Sequence, residues 1–288
     1  MYSLKIGVHG VALSLPFGKG TNHEEVINLV TQAEMQCITI PIKSPTWHID
    51  PQSLNDTKIE EMKEKIPSKI QVTGIGYNWP NEFNMITDST AEWKRNIDYA
   101  NKLLEIASWF NANHIVIGAP GRSVPAGVSY DEGVRKLVKF FKEVCDDAES
   151  FDLMFCIEHS RFSRANIGNT TKGLIDLIDA VDSSRFQMIA QIHDMAINDL
   201  DVSDAIRMAG ERIKQVHVAD VSGLNPLEDG WSSLLLPGMG VLDFDEIFRA
   251  LKDVGYDGEI CLEALLGDDP ISALKYYRKN IEEYWIQA

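Results

Sequence analysis

Short, nearly unbroken apolar runs rich in β-branched residues recur eight times along the chain. They cover residues 4–9, 37–42, 70–76, 114–119, 153–158, 186–193, 213–219 and 259–264. Continuous apolar runs of this length are the pattern of parallel strands covered on both faces. Each is followed by a stretch with helical period, and several of these begin with a start signal. Ser89-Thr90-Ala91-Glu92 precedes Trp93, Ile97, Ala100, Leu104 and Ala107, and Ser129-Tyr130-Asp131-Glu132 precedes Val134, Leu137, Val138, Phe141 and Cys145. In both, a cap hydroxyl and a carboxylate three residues on can satisfy amides that the first helical turn leaves open. Asn22 with Glu25 and Asp243 with Glu246 repeat the arrangement, and Asp269-Pro270 sets a cap before a first-turn proline.

Eight strand–helix units in 288 residues average 36 each. That predicts a single (β/α)8 TIM barrel occupying residues 1–288 as one domain, since an open doubly wound sheet rarely repeats so regularly and ends in a helix. No Gly-x-Gly-x-x-Gly follows the first strand and no P-loop occurs, which argues against a nucleotide site. The longest stretch without period, 221–241, carries Asn225-Pro226, Trp231 and Pro237-Gly238 and reads as a lid or a packed loop.

Composition narrows the function classes. Lys and Arg number 27 against 43 Asp and Glu, a net charge of −16, which opposes binding to nucleic acid or an anionic membrane. No apolar window is long enough to span a bilayer. The first residues, broken by Lys5 and His9, read as a strand and not as a signal peptide. Cys37, Cys145, Cys156 and Cys261 are widely spaced in apolar sequence, as reduced core thiols of a cytoplasmic protein would be.

A barrel places its chemistry at the C-terminal strand ends. The fifth strand ends in Glu158, the sixth in His193-Asp194, the seventh carries His217 and the eighth runs to Glu263. If alternation points them inward, Glu158, Asp194, His217 and Glu263 converge from four neighbouring strands. Such charges cannot be buried together bare, so the set predicts one divalent metal ion. Its mostly oxygen donors suit Mn2+ best, with Mg2+, Co2+ or Zn2+ also compatible. His193 falls on the opposite face by the same alternation and reads as a packed residue or one that supports the ligands from behind. Arg122, Arg161 and Arg164 fall in the loops after strands four and five, either binding a phosphate or carboxylate or forming surface salt bridges. His9 ends the first strand, and Trp79, Trp47 and His48 lie in loops on the same side, as a wall for a sugar ring or as loop packing.

The quartet Glu158, Asp194, His217 and Glu263 resembles the metal set of the xylose-isomerase-like superfamily of barrels. The segments Ile157-Glu158-His159-Ser160-Arg161-Phe162 with Asn169-Thr170, Leu236-Pro237-Gly238-Met239-Gly240, and Gly255-Tyr256-Asp257-Gly258 are similar to its sugar epimerase and isomerase branch. That branch holds ketose 3-epimerases, hydroxypyruvate isomerase and inosose dehydratase. The resemblance implies a metal-dependent isomerase or epimerase acting on a sugar, keto-sugar or sugar phosphate through an enediolate. Glu158 and Glu263 would transfer the protons, the other two would act as ligands, and Arg122, Arg161, Arg164, His9 and Trp79 would face the substrate. The sequence departs from the branch where a histidine three residues beyond the sixth-strand aspartate is replaced by Ile197, and where an arginine six beyond the seventh-strand histidine is replaced by Gly223. Three alternatives stay open: a dehydratase-type lyase, a non-catalytic sugar-binding barrel, and an endonuclease IV-like enzyme. The last is disfavoured by the acidity and by the absence of histidine in strands two and three. The partner expected is a small carbohydrate, without nucleic acid or membrane; a homo-oligomer is left open.

Overall fold

The computed structural model describes residues 4–10, 12, 23–42, 56–76, 79–199, 201–224 and 233–288. Asn22, Trp47, His48 and residues 225–232 lie outside them, and with them the middle of the predicted 221–241 loop.

Eight parallel strands close into a barrel. In chain order they are β1 (Lys5–His9), β2 (Cys37–Pro41), β3 (Gln71–Gly76), β4 (His114–Ile117), β5 (Met154–Glu158), β6 (Phe186–Gln191), β7 (Ile213–Val218) and, after two short strands, β10 (Glu259–Leu262). Each pairs with its neighbour in sequence, and β10 pairs with both β7 and β1, from Lys5↔Glu259 to Val8↔Leu262. The short strands β8 (Asp220–Val221) and β9 (Leu234–Leu235) form an antiparallel ribbon above the rim.

The described helices are α1 (His23–Gln32), α2 (Asp56–Glu64), α3 (Thr90–Trp109), α4 (Tyr130–Ser150), α5 (Thr171–Val181), α6 (Ile192–Asn198), α7 (Val202–Ala209), α8 (Phe244–Asp253) and α9 (Pro270–Gln287). The predicted start signals act as caps. Ser89, Ser129, Asp243 and Asp269 each accept from the backbone amide three residues on, at 3.0–3.3 Å. Glu92 completes its box differently, accepting from the Thr87 hydroxyl at 2.6 Å.

The main apolar core lies between strands and helices. Phe140, Phe141, Phe155, Phe186, Phe244 and Phe248 are wholly buried there. Val116, Cys156 and Ile189 make a separate small cluster, on the strand face that Cys156 shares with Glu158. All four cysteines are free and buried. No described helix is long and apolar enough to cross a membrane.

Candidate active site

A cavity of about 460 Å³ opens at the C-terminal ends of the strands, bordered by His9, Trp79, Glu158, Gln191, His193 and Glu263 among others. That volume lies in the range of small-molecule sites.

Three predicted ligands come together there, Glu158 and Glu263 lining the cavity and His217 wholly buried beside them. Among the described residues, Glu158, His217 and Glu263 form the one group of acidic and histidine side chains whose potential ligand atoms lie within 4.8 Å of one another. His217 stands centrally, with Nδ1 3.2 Å from Glu263 Oε2 and 3.7 Å from Glu158 Oε2. Its other nitrogen, Nε2, is 2.8 Å from Gln215 Oε1. Gln215 is held in turn by the hydroxyls of Thr39 and Thr73, at 3.1 and 3.0 Å. The Gln215 oxygen fixes the ring and turns Nδ1 toward the carboxylates, which is how metal-binding histidines are oriented. Glu158 enters beside Gly118, where a Cβ would stand 2.9 Å from its Oε1, so the glycine leaves room for the carboxylate.

Asp194 does not join the group. The sixth strand ends at Gln191, and Ile192–Asn198 is helical, so strand alternation stops three residues before the aspartate. Asp194 instead accepts from Arg161 Nε at 3.0 Å in a buried ion pair. The strand-end position belongs to Gln191, whose Nε2 donates to Glu263 Oε2 at 2.8 Å and whose Oε1 is 2.9 Å from His217 Nδ1. The same helical turn brings His193 to the cavity wall, with Nδ1 buried and without a partner. It also makes Asp194, not Ile197, the residue three beyond the strand end.

The remaining predicted residues divide. His9 lines the cavity edge-on to His217, ring centres 5.0 Å apart. Arg161 and Arg164 border it, whereas Arg122, expected on the rim, is wholly buried. Trp79 borders the cavity but is 4% exposed, packed edge-on against Tyr99 and Phe140. Gln191, Gln215 and His193 were missed. The run Phe-Gln-Met-Ile-Ala-Gln-Ile-His contains no glycine, proline or capping residue to mark the end of the strand.

Burial and neighbouring charge pull the two glutamates apart. Burial, then repulsion from Glu263 and Asp194, raises the Glu158 pKa well above the ordinary value, against the attraction of Arg122 and Arg164. Burial also opposes charge on Glu263, but the His217 hydrogen bond and the fields of His9, His217 and His193 hold its pKa low. Burial lowers His9 to about 4, with Glu263 opposing and His217 adding to the effect.

The residues fit a divalent cation. Three oxygen acceptors crowd His217 Nδ1: Gln191 Oε1, Glu263 Oε2 and Glu158 Oε2. Such a concentration of lone pairs in a buried place requires a positive centre. Glu158, His217 Nδ1 and Glu263 could hold it, with the Gln191 amide as a neutral neighbour.

Comparison with known proteins agrees with this architecture. The family described as xylose isomerase-like TIM barrel matches residues 27–287. The chain is 25% identical over 229 residues to a D-psicose 3-epimerase of Enterocloster bolteae, covering 77% of this chain and 72% of that protein. Among solved structures, D-psicose 3-epimerase from Clostridium cellulolyticum H10, determined with D-tagatose, superposes with a TM-score of 0.77 at 18% identity, over 96% of this chain and 99% of that one. The IOLI protein with a bound zinc atom superposes with a TM-score of 0.78 at 15% identity, over 98% of each chain.

Proposed function

Because the chain belongs to the xylose isomerase-like TIM barrel family, we propose that it is a sugar epimerase or isomerase that moves a proton at the carbon next to a carbonyl. The observation that carries this reading is the pair of glutamates, half-buried Glu158 and buried Glu263, that line a cavity of sugar size and meet at His217. The likeness to a D-psicose 3-epimerase gives it a reaction class.

One divalent cation, Mn2+ best suited to two carboxylates and an imidazole, would be held by Glu158, His217 and Glu263. When bound it offsets the negative charge that develops on the substrate oxygens as the carbon loses its proton. The protein's own groups do the rest. Glu263 accepts the proton from carbon, and Glu158 returns one from the other side of the cavity. Two carboxyl groups from strands separated by β6 and β7 can face opposite sides of one substrate, as epimerisation needs; delivery to the neighbouring carbon gives isomerisation instead. His9, neutral at the cavity wall, can hydrogen-bond a sugar hydroxyl, and the Trp79 edge supplies apolar surface.

The test is deuterium uptake by a panel of ketoses and sugar phosphates incubated with the Mn2+-loaded protein in D2O, read by mass spectrometry. Glu263→Gln keeps the side chain's shape but removes the base, so exchange should fall about 10²–10⁴-fold while metal binding weakens far less. Glu158→Gln should fall comparably. Full exchange in a metal-loaded Glu263→Gln protein would assign the base elsewhere.

A further inference from the structure

The cavity wall also carries cationic side chains. Arg161 and Arg164 border it from the loop after β5. That loop is braced from within: Asn169 Nδ2 donates to the carbonyls of Ser160 and Ala165 at 2.7 and 2.9 Å, and Asn198 Nδ2 to those of Ser160 and Asn169, both at 2.9 Å. Arg161, 3% exposed, is held by Asp194. The aspartate excluded from the glutamate cluster therefore serves to aim a guanidinium. Arg164, three residues on, is exposed at the mouth.

Arg122 adds an independent observation. It is wholly buried, yet Nε, Nη1 and Nη2 all lack a hydrogen-bond partner. Gly168 makes room for it, since a Cβ there would stand 3.3 Å from Nη1. A guanidinium removed from water without acceptors is costly; the Glu158 and Asp194 carboxylates attract its charge, yet neither accepts a hydrogen bond from it.

We propose that the substrate carries an anionic group, a phosphate monoester or a carboxylate, which Arg161 and Arg164 bind at the cavity mouth with Arg122 providing positive field behind them. The proposal rests on the epimerase reading above and specifies its substrate class. Guanidinium groups suit both anions, because their paired N–H donors match two oxygens of either.

Calorimetric titration of the full-length, Mn2+-loaded protein with D-fructose, D-fructose 6-phosphate and D-fructuronate tests it without requiring turnover. At least one of the two anionic ketoses should bind roughly 10–100-fold more tightly than fructose, and which one does so distinguishes phosphate from carboxylate. Arg164→Gln, a change at an exposed side chain that the fold can tolerate, should bring that ratio within about twofold, and Arg164→Lys should retain part of it. Equal affinity for all three ketoses, or a preference that survives both Arg161→Gln and Arg164→Gln, would overturn the proposal. Deuterium exchange separates this failure from failure of the epimerase reading. Fructose that exchanges without any anionic preference leaves the proton-transfer chemistry standing alone. An arginine-dependent preference with no exchange from any ketose supports the anion site and removes the epimerase.

Discussion

Gln191 carries no charge, yet it is hydrogen-bonded to Glu263 and stands 2.9 Å from His217 Nδ1. Where a carboxylate would add to the attraction for a cation, the amide contributes only a dipole. Gln191→Glu should therefore raise Mn2+ affinity by about tenfold or more, since a unit charge near 4 Å is worth several kcal/mol at the effective dielectric of such sites. It should also lower the melting temperature of the chelated protein, because a third carboxylate would join a buried repulsive pair. Calorimetry with Mn2+ and melting in EDTA check the two signs; unchanged affinity would mean that side chain 191 does not face the ion. Asp194→Asn should keep its metal and instead loosen Arg161. Strand alternation made Glu158, His217 and Glu263 legible in the sequence, because each lies on or one residue beyond a strand whose register it follows. Asp194 was misplaced because Ile192 continues the apolar run while the backbone has already turned helical. Its ion pair with Arg161 depends on a loop 33 residues away in sequence, which no local pattern encodes.

Among the elements, the connection from β7 to α8 hangs on one carboxylate. Asp220, fully buried, accepts from the amides of Val221 and Leu242 at Oδ1, 2.8 and 3.1 Å, and from Gly238 and Gly240 at Oδ2, 3.0 and 2.8 Å. It thereby ties the strand end to the Pro237–Gly240 turn and supports the β8–β9 ribbon that brings Leu234 to the cavity. Gly240 is required at this point, because a Cβ there would run into the Asp220 carboxylate. Asp220→Ala leaves four amides without their acceptor, and unpaired buried groups cost about 1–3 kcal/mol each. After partial rehydration, destabilisation of about 3 kcal/mol or more is expected in urea unfolding, with Asp220→Asn milder. A loss below 1 kcal/mol would show that water replaces the carboxylate. Helix starts were readable here and elsewhere because a cap needs only its own first turn, as Asp243 and Asp269 demonstrate. Two-residue strands such as β8 and β9 carry no period, so their pairing could not be read from 221–241.

At the scale of the whole molecule, barrel closure buries histidines that must stay neutral. Burial lowers the pKa of His9 to about 4 and those of His114 and His159 to about 3. His159 is fixed between Thr171 Oγ1 at 2.9 Å and the Ile189 carbonyl at 3.3 Å, and His114 Nε2 has no partner. In the unfolded chain these rings titrate near the ordinary 6.5. Between that value and the folded pKa the unfolded state holds the extra protons, so each histidine removes stability as the pH falls below about 6.5, and none does so above it. The slope is about 1.4 kcal/mol per pH unit for each ring. Glu158 acts in the opposite direction, because its raised pKa lets the folded state hold a proton that the unfolded chain has released. The net charge of −16 also shrinks on acidification, which relieves self-repulsion, but that effect is largely screened at about 0.15 M salt. The His193 pKa is lowered by burial in the same direction, so the rings outweigh the one carboxyl and stability falls progressively below about pH 6.5. Urea unfolding of the EDTA-treated protein at pH 7.5, 6 and 5, followed by tryptophan fluorescence, should accordingly give a midpoint that changes little down to pH 6.5 and drops steeply below it. A midpoint that stays level to pH 5 would mean that these imidazoles take up protons within the folded barrel, and that its lumen is far wetter than its burial indicates.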